Sequence, residues 1–302
     1  MSFSKQYILN HNASGYYISS KKHNGYTTYN NRNKWDDHVI DDCLIFSHRA
    51  TQYTRKNFSE GLHTHEYYEM IVYIGGDVEY VKENTLIKPK PYSVIWFLPG
   101  QMHTARLLSA SEYERYVFYF SKDFFRFNDI RIPMTDFMDK GNNVAINPDI
   151  TEIKEILKKI RYQSNSKSPL SGLLTKTYIT ELFGILNKND IATSKGEVFK
   201  DDMMQIKNYI DSEYASISTT AEIAEKFHYS REHLSRKFKD IFNISISEYI
   251  SKRRIIESLP MLSKMRGADA AYSVGFKSQS SYIAAFVKNI GCLPSEYKKL
   301  KH

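Results

Sequence analysis

The sequence predicts an α+β chain in several parts: a β-rich N-terminal region, a helical pair, and an all-α C-terminal domain. Three observations lead there. From Cys43 onward short strand-like runs follow one another, LIFSH, YEMIVYIGG, EYVKE, SVIWFLPG and ERYVFYFS, punctuated by Gly, Pro and Asn. That texture then stops, and apolar residues recur at helical spacing. Finally, residues 218–239 and 267–288 spell the same two-helix pattern twice.

Residues 1–40 are rich in Asn, Tyr, Lys and Ser and read as an N-terminal arm or a short edge strand. Residues 41–148 hold the strand-like runs, whose spacing indicates an antiparallel barrel or sandwich. Within them, an extended backbone from His63 to Tyr73 would put His63, His65, Tyr67, Glu69, Ile71 and Tyr73 on one face. Leu98-Pro99-Gly100-Gln101 has Pro and Gly where a type II turn needs them, and that turn delivers His103. Three imidazoles and one carboxylate can hold a divalent transition ion with open positions. The same side chains can instead be hydrogen-bonded polar groups around a small-molecule pocket, with Tyr73 and Trp96 as further lining; Trp96 serves equally well as core.

Residues 149–187 read as a helical layer. Ile153, Ile156, Leu157 and Ile160 form one stripe and Leu170, Leu173, Leu174, Tyr178, Leu182 and Ile185 another, separated by SNSKSP. Two helices so joined pack antiparallel, and their stripes close over the strands, join a second subunit, or both. Residues 188–199, polar apart from a few positions, are the expected linker to residues 200–302.

In the first doubled unit, Thr219 and Glu222 make a capping box, Ile223, Ala224 and Phe227 an apolar stripe, and Ser230 caps a second helix. That second helix turns Leu234 and Phe238 inward and leaves Arg231, Glu232, Ser235, Arg236 and Lys239 outside. In the other unit Ala268, Ala271 and Val274 precede the Gly275-Phe276 turn, and Ser278 caps a helix with Ile283 and Phe286 inward. Its outer side offers Gln279, Ser280, Ala284 and Ala285, with Lys277 and Lys288 beside them. Residues 247–262 supply a helical connector, in which Pro260 should force a bend or break near Glu257.

The blocks LSRKFK, ISISEY, RRI, VGF, SSY and CLPSEY, in this order between Leu234 and Tyr297, resemble the DNA-binding domain of AraC-type transcription regulators. The HxH, Glu and PGxxH series likewise resembles the metal quartet of cupin barrels. Together these resemblances imply a cupin-like sensing barrel (41–148), a helical dimerisation or closing layer (149–187) and a seven-helix domain with two helix-turn-helix units (200–302). They also imply a homodimer that binds double-stranded DNA, usually activates transcription through RNA polymerase, and answers to a small-molecule effector such as a sugar. Arg231, Glu232, Ser235, Arg236, Gln279 and Ser280 are then candidate base readers, and Lys239, Lys277 and Lys288 candidate phosphate contacts. His63, His65, Glu69, Tyr73, Trp96 and His103 are the candidate effector pocket. No cofactor and no catalytic residue are expected; the alternative is a metal-dependent cupin enzyme, or metal sensing, through His63, His65, Glu69 and His103. The family's usual Arg near Ala285 is absent, so the second head is expected to read less than the first.

Charge agrees with a polyanionic partner. The chain carries a net +8 with a pI near 9.1, spread without long basic runs and concentrated in the last third. Two isolated cysteines, Cys43 and Cys292, suggest free thiols in a reducing compartment. The first residues lack the apolar core of a signal peptide and no run is apolar enough to span a bilayer, so a cytoplasmic protein with no membrane partner is expected.

Overall fold

A computed structural model describes residues 18–23, 26–31, 36–53, 61–127, 144–146, 150–187, 192–194, 197–198 and 201–301. In chain order the strands are β1 (Ile18–His23), β2 (Tyr26–Asn31), β3 (Asp36–Asp41), β4 (Leu44–Tyr53), β5 (Tyr68–Gly75), β6 (Val78–Lys82) and β7 (Thr85–Ile87). They continue as β8 (Val94–Phe97), β9 (His103–Leu107), β10 (Ser111–Phe120), β11 (Val144–Ile146), β12 (Ala192–Ser194) and β13 (Glu197–Val198). These pair into a nine-stranded sheet, β1-β2-β3-β4-β10-β5-β8-β11-β12, and a four-stranded sheet, β13-β7-β6-β9. The expected closed cupin-like barrel is therefore not what the described strands form: they make two separate sheets, face to face.

Alternation decides what each face meets. On β10, Tyr116, Phe118 and Phe120 turn to one side with Met70, Val72, Val94 and Trp96, while Tyr113, Val117 and Tyr119 turn to the other with Ile71, Tyr73, Ile95 and Phe97. The first side packs against α1 (Lys122–Phe127), α2 (Ile150–Ser164) and α3 (Ser171–Leu186); the second faces Val78, Tyr80, Ala105 and Leu107 of the small sheet. The outer side of the small sheet, through Val81, Leu86 and Met102, joins the core of the C-terminal helices. The order of layers is thus helical pair, large sheet, small sheet, C-terminal domain.

The boundaries differ from the sequence reading at both ends. Strands β1 to β3 extend the large sheet, so the stretch from Ile18 is not a separate arm. In the expected linker, Ala192–Ser194 pairs with β11 and Glu197–Val198 with β7, which stitches that stretch to both sheets. Helix α2 buries Ile153, Ile156, Leu157 and Ile160 as its spacing requires. Helix α3 buries Leu182 and Ile185 of the expected stripe together with Ser171, Thr175, Ile179, Phe183 and Leu186, and leaves Leu170 and Leu173 exposed. Small polar residues can occupy this face because the Thr175 hydroxyl satisfies itself on the Ser171 carbonyl at 2.8 Å.

The C-terminal domain has α4 (Asp202–Glu213), α5 (Thr220–Lys226), α6 (Arg231–Phe242), α7 (Ile246–Ser258), a 3-10 turn Pro260–Ser263, α8 (Gly267–Ser273), α9 (Gln279–Ile290) and α10 (Pro294–Lys301). Ser230, Ser245 and Ser278 cap their helices by accepting from His233, Glu248 and Ser281 backbone N–H groups. Thr219 does not complete a capping box: its hydroxyl donates to the Glu222 carboxylate, whose other oxygen accepts the Ser218 N–H at 3.2 Å. The connector α7 ends at Ser258 and tightens into the 3-10 turn at Pro260, where the ring lacks an N–H for the ladder. Gly275 joins α8 to α9 with φ +91°, and a Cβ there would meet the Ala215 carbonyl oxygen at 2.3 Å.

Candidate functional site

Helices α6 and α9 are both two-sided. Helix α6 buries Leu234, Phe238, Ile241 and Phe242 and exposes Arg231, Glu232, Ser235, Arg236 and Lys239. Helix α9 buries Tyr282 and Phe286 and exposes Gln279, Ser280, Ala284 and Lys288; Lys277 just before it is exposed as well. Ile283, expected inward, is only partly buried, and Tyr282 takes the deeper place with its hydroxyl 3.1 Å from Ser258 Oγ. Lys288 is not wholly available to a phosphate, since its Nζ donates to Glu248 Oε1 at 2.7 Å.

The basic run of the connector turns out to be internal support. Arg254 donates to the carbonyls of Tyr214 and Ile217 at 2.8 and 2.6 Å, and Arg253 pairs with Glu257 at 2.9 Å. Burial lowers the Arg254 guanidinium pKa, so its two carbonyl partners are what make the position tolerable.

The second candidate site lies between the two sheets. His63 and His65 sit on an irregular strap, residues 61–67, that leads into β5; Glu69 is on β5 and His103 opens β9. Their ligand-type atoms all lie within 4.8 Å of one another, and His65, Glu69 and His103 are buried. The turn before His103 has the expected form: Gln101 N–H donates to Leu98 O at 3.1 Å, Gly100 adopts φ +84°, and its N–H donates to His65 O at 2.8 Å. His63 and His103 exchange two backbone hydrogen bonds, at 2.9 and 2.8 Å.

The imidazoles are oriented alike. Nδ1 of His63, His65 and His103 lies 2.9 Å from the carbonyl oxygen of Gly61, Tyr67 and Gln101 respectively. A carbonyl oxygen only accepts, so each Nδ1 carries a hydrogen and each ring turns its Nε2 edge toward the others. Burial, then the neighbouring His103 and His65, pushes the His63 imidazole well below its usual pKa; burial likewise lowers His65, against the pull of Glu69. Nε2 of His65 and of His103 each lie 2.9 Å from Glu69 Oε2. A hydrogen on each Nε2 would make both contacts hydrogen bonds to the carboxylate, and a cation at the centre would take the place of those hydrogens. Outer-shell hydrogen bonds that fix the tautomer, a mixed nitrogen and oxygen donor set, and burial together fit a divalent transition metal ion.

Tyr73 and Trp96 do not join this cluster. The Tyr73 hydroxyl closes on the Gly76 carbonyl of its own hairpin. Trp96 faces the helical pair, its ring 5.7 Å from that of Phe183, because it alternates with Ile95 and Phe97, which face the quartet's layer. Sequence reasoning missed Leu62, Asn243 and Lys252, which join the strap to the C-terminal domain. Only Asn243 left a local trace, as a left-handed helix cap after Phe242.

A family model described as a helix-turn-helix domain matches residues 223–300. Residues 223–300 are an AraC-type helix-turn-helix domain. The Msm operon regulatory protein of Streptococcus mutans is 35% identical over 97 residues, which is 32% of this chain and 35% of that protein. The lactose operon transcription activator of Staphylococcus xylosus is 23% identical over 163 residues, 52% of this chain and 58% of that protein. The chain thus spans less than two thirds of these relatives' length. A solved structure of ToxT from Vibrio cholerae covers 84% of this chain and 98% of its own at 18% identity and TM-score 0.36, too loose a likeness to carry an argument.

Proposed function

We propose that this protein is a sequence-specific DNA-binding transcription regulator whose β-domain senses a divalent transition metal ion at His63, His65, Glu69 and His103. The observation that carries the DNA-binding half is the pair of capped helices, α6 and α9, that bury one face and expose polar side chains on the other within the matched domain. Arg231, Glu232, Ser235 and Arg236 read base edges under the first head, Gln279 and Ser280 under the second, and Lys239, Lys277 and Lys288 contact phosphates. The convergence of the quartet's donor atoms within 4.8 Å supports the sensing half. A bound ion would supply positive charge at the centre of the four side chains, and the residues hold it with their Nδ1 hydrogens anchored on carbonyls.

A second reading of the sensing half, a small-molecule effector such as a sugar, is favoured by the relative named for a lactose operon. Exposed Leu170, Leu173 and Tyr162 on the helical pair support a homodimer. Activation through RNA polymerase and a cytoplasmic location complete the proposal. A gel-shift titration against duplexes selected from a random pool tests its core: selected sites should bind at least about a thousandfold tighter than random duplex at physiological salt. Equal affinity for both would exclude sequence-specific regulation. Metal analysis and zinc titration of the purified chain, beside a thermal-shift screen with sugars, separate the two readings of the β-domain.

A further inference from the structure

The quartet lies against the end of the first reading helix. The strap that carries His63 and His65 also carries Leu62, whose side chain is fully buried in the cluster that contains Met203, Phe238 and Phe242. Leu62 N–H donates to Phe242 O, the last residue of α6, at 2.9 Å, and Leu62 O receives Lys252 Nζ at 3.4 Å. Asn243, the left-handed cap of α6, donates its Nδ2 hydrogen to Ala105 O at 3.0 Å, two residues beyond His103 on β9. A Cβ on Gly61 would meet the Asn243 carbonyl oxygen at 2.9 Å, so the strap runs hard against the helix cap. The two segments that supply the three imidazoles are therefore segments that grip the C-terminal end of α6.

We infer that ion occupancy of the quartet is read by the first helix-turn-helix unit itself, through residues 61–66 and β9, as a clasp that fixes α6 on the β-domain. This rests on the quartet being a metal site. An ion at the centre would tie the strap, β5 and β9 to one point, whereas without it the described residues 61–67 are joined to β5 and β9 by the His63–His103 bridge and by the contacts of His65 and His103 with Glu69 at 2.9 Å. A shift of the strap withdraws Leu62 from a close-packed core and breaks its bond to Phe242. With the charge present, the rings converge, Leu62 stays seated and the α6 cap stays on Ala105. In this docked arrangement Arg231, Glu232, Ser235, Arg236 and Lys239 are all exposed, so the clasped form is competent for DNA and pre-organises the first head.

The test uses the full chain, stripped with a chelator and then titrated with Zn²⁺, with calorimetry reporting binding and amide hydrogen exchange reporting the clasp. Zinc should bind near one equivalent and slow exchange of the Leu62 and Asn243 amides by about tenfold or more. Affinity for a selected duplex should tighten by about tenfold. Glu69→Gln should weaken zinc binding and lose the protection with it. Leu62→Ala should keep zinc but lose the gain in DNA affinity. Zinc binding that leaves Leu62 exchange and DNA affinity unchanged would overturn the clasp while leaving the metal site intact. Absence of zinc binding to the wild-type chain would overturn both.

Discussion

The two helix-turn-helix units share a plan and differ in what supports them. The first rests on a core of large side chains, Leu234, Phe238, Ile241 and Phe242, that continues through Met203 and Ile206 to Leu62, Val81 and Met102 of the β-domain. The second rests on a separate cluster in which Ala270 and Ala271 stand beside Val274, Tyr282 and Phe286, and it reaches the β-domain through the Tyr297 hydroxyl, which donates to Glu66 at 2.7 Å. Outside, the first helix offers two arginines and a lysine, whereas the second offers Gln279, Ser280 and Ala284, with Lys288 engaged by Glu248. Exposed positive charge and packing against the β-domain thus concentrate on the same unit.

The largest expected effect separates the two cores. Phe238→Ala and Phe286→Ala each empty a fully buried ring site and should each cost about 3–5 kcal/mol in urea unfolding. Specific DNA binding should fall far more for Phe238→Ala than for Phe286→Ala; equal losses would break the comparison.

Lys82, on the small sheet that backs the first unit, gives the next largest effect. It is buried with its Nζ on the Trp96 carbonyl at 2.8 Å, and burial lowers its pKa from 10.5 to about 8. Between those values the unfolded chain holds a proton that the folded chain has released, so stability should rise with pH across that window, and the penalty is complete below it. Lys82→Met should therefore stabilise the protein near neutral pH by about 2 kcal/mol and flatten the rise between pH 8 and 9.5 in denaturant titrations. An unchanged pH slope would show that Lys82 is not the titrating group.

On the DNA-facing sides, Arg236→Ala should cost about 1–3 kcal/mol of specific binding and relax base preference under the first head. Gln279→Ala should cost clearly less in the same gel-shift series. The smallest effect belongs to Lys288, whose exposed pair with Glu248 should contribute no more than about 1 kcal/mol to stability. Lys239→Ala should reduce the slope of the salt dependence of binding by about one, and Lys288→Ala by less, because Glu248 already engages that ammonium. A reversed order would shift the electrostatic weight to the second head.

Much of this was legible wherever the physics is local. Serine caps at 230 and 278, the Leu98–Gln101 turn, the stripe of α2 and the stop at Pro260 are each set by residues within one or two turns of one another. The quartet's members were legible from their spacing and from the turn before His103, but the expected extended backbone was not: β5 begins at Tyr68, and His63 and His65 come from the irregular strap. What escaped depends on contacts far apart in the chain. Helix α3 turned a face containing Ser171 and Thr175 inward because of what it packs against, a choice its own leucines do not reveal. The strands from Ile18 to Asp41 and those after Ile191 found partners across the sheets despite polar sequences. Leu62 on Phe242 and Asn243 on Ala105 join residues more than a hundred positions apart, and no local spacing encodes them.

The unequal division of labour between the heads is tested most directly by half-site substitution in a selected duplex, read by fluorescence anisotropy at fixed salt. Single base-pair changes beneath the first head should each cost about 1–3 kcal/mol, and those beneath the second clearly less. Equal losses in the two halves would contradict the account.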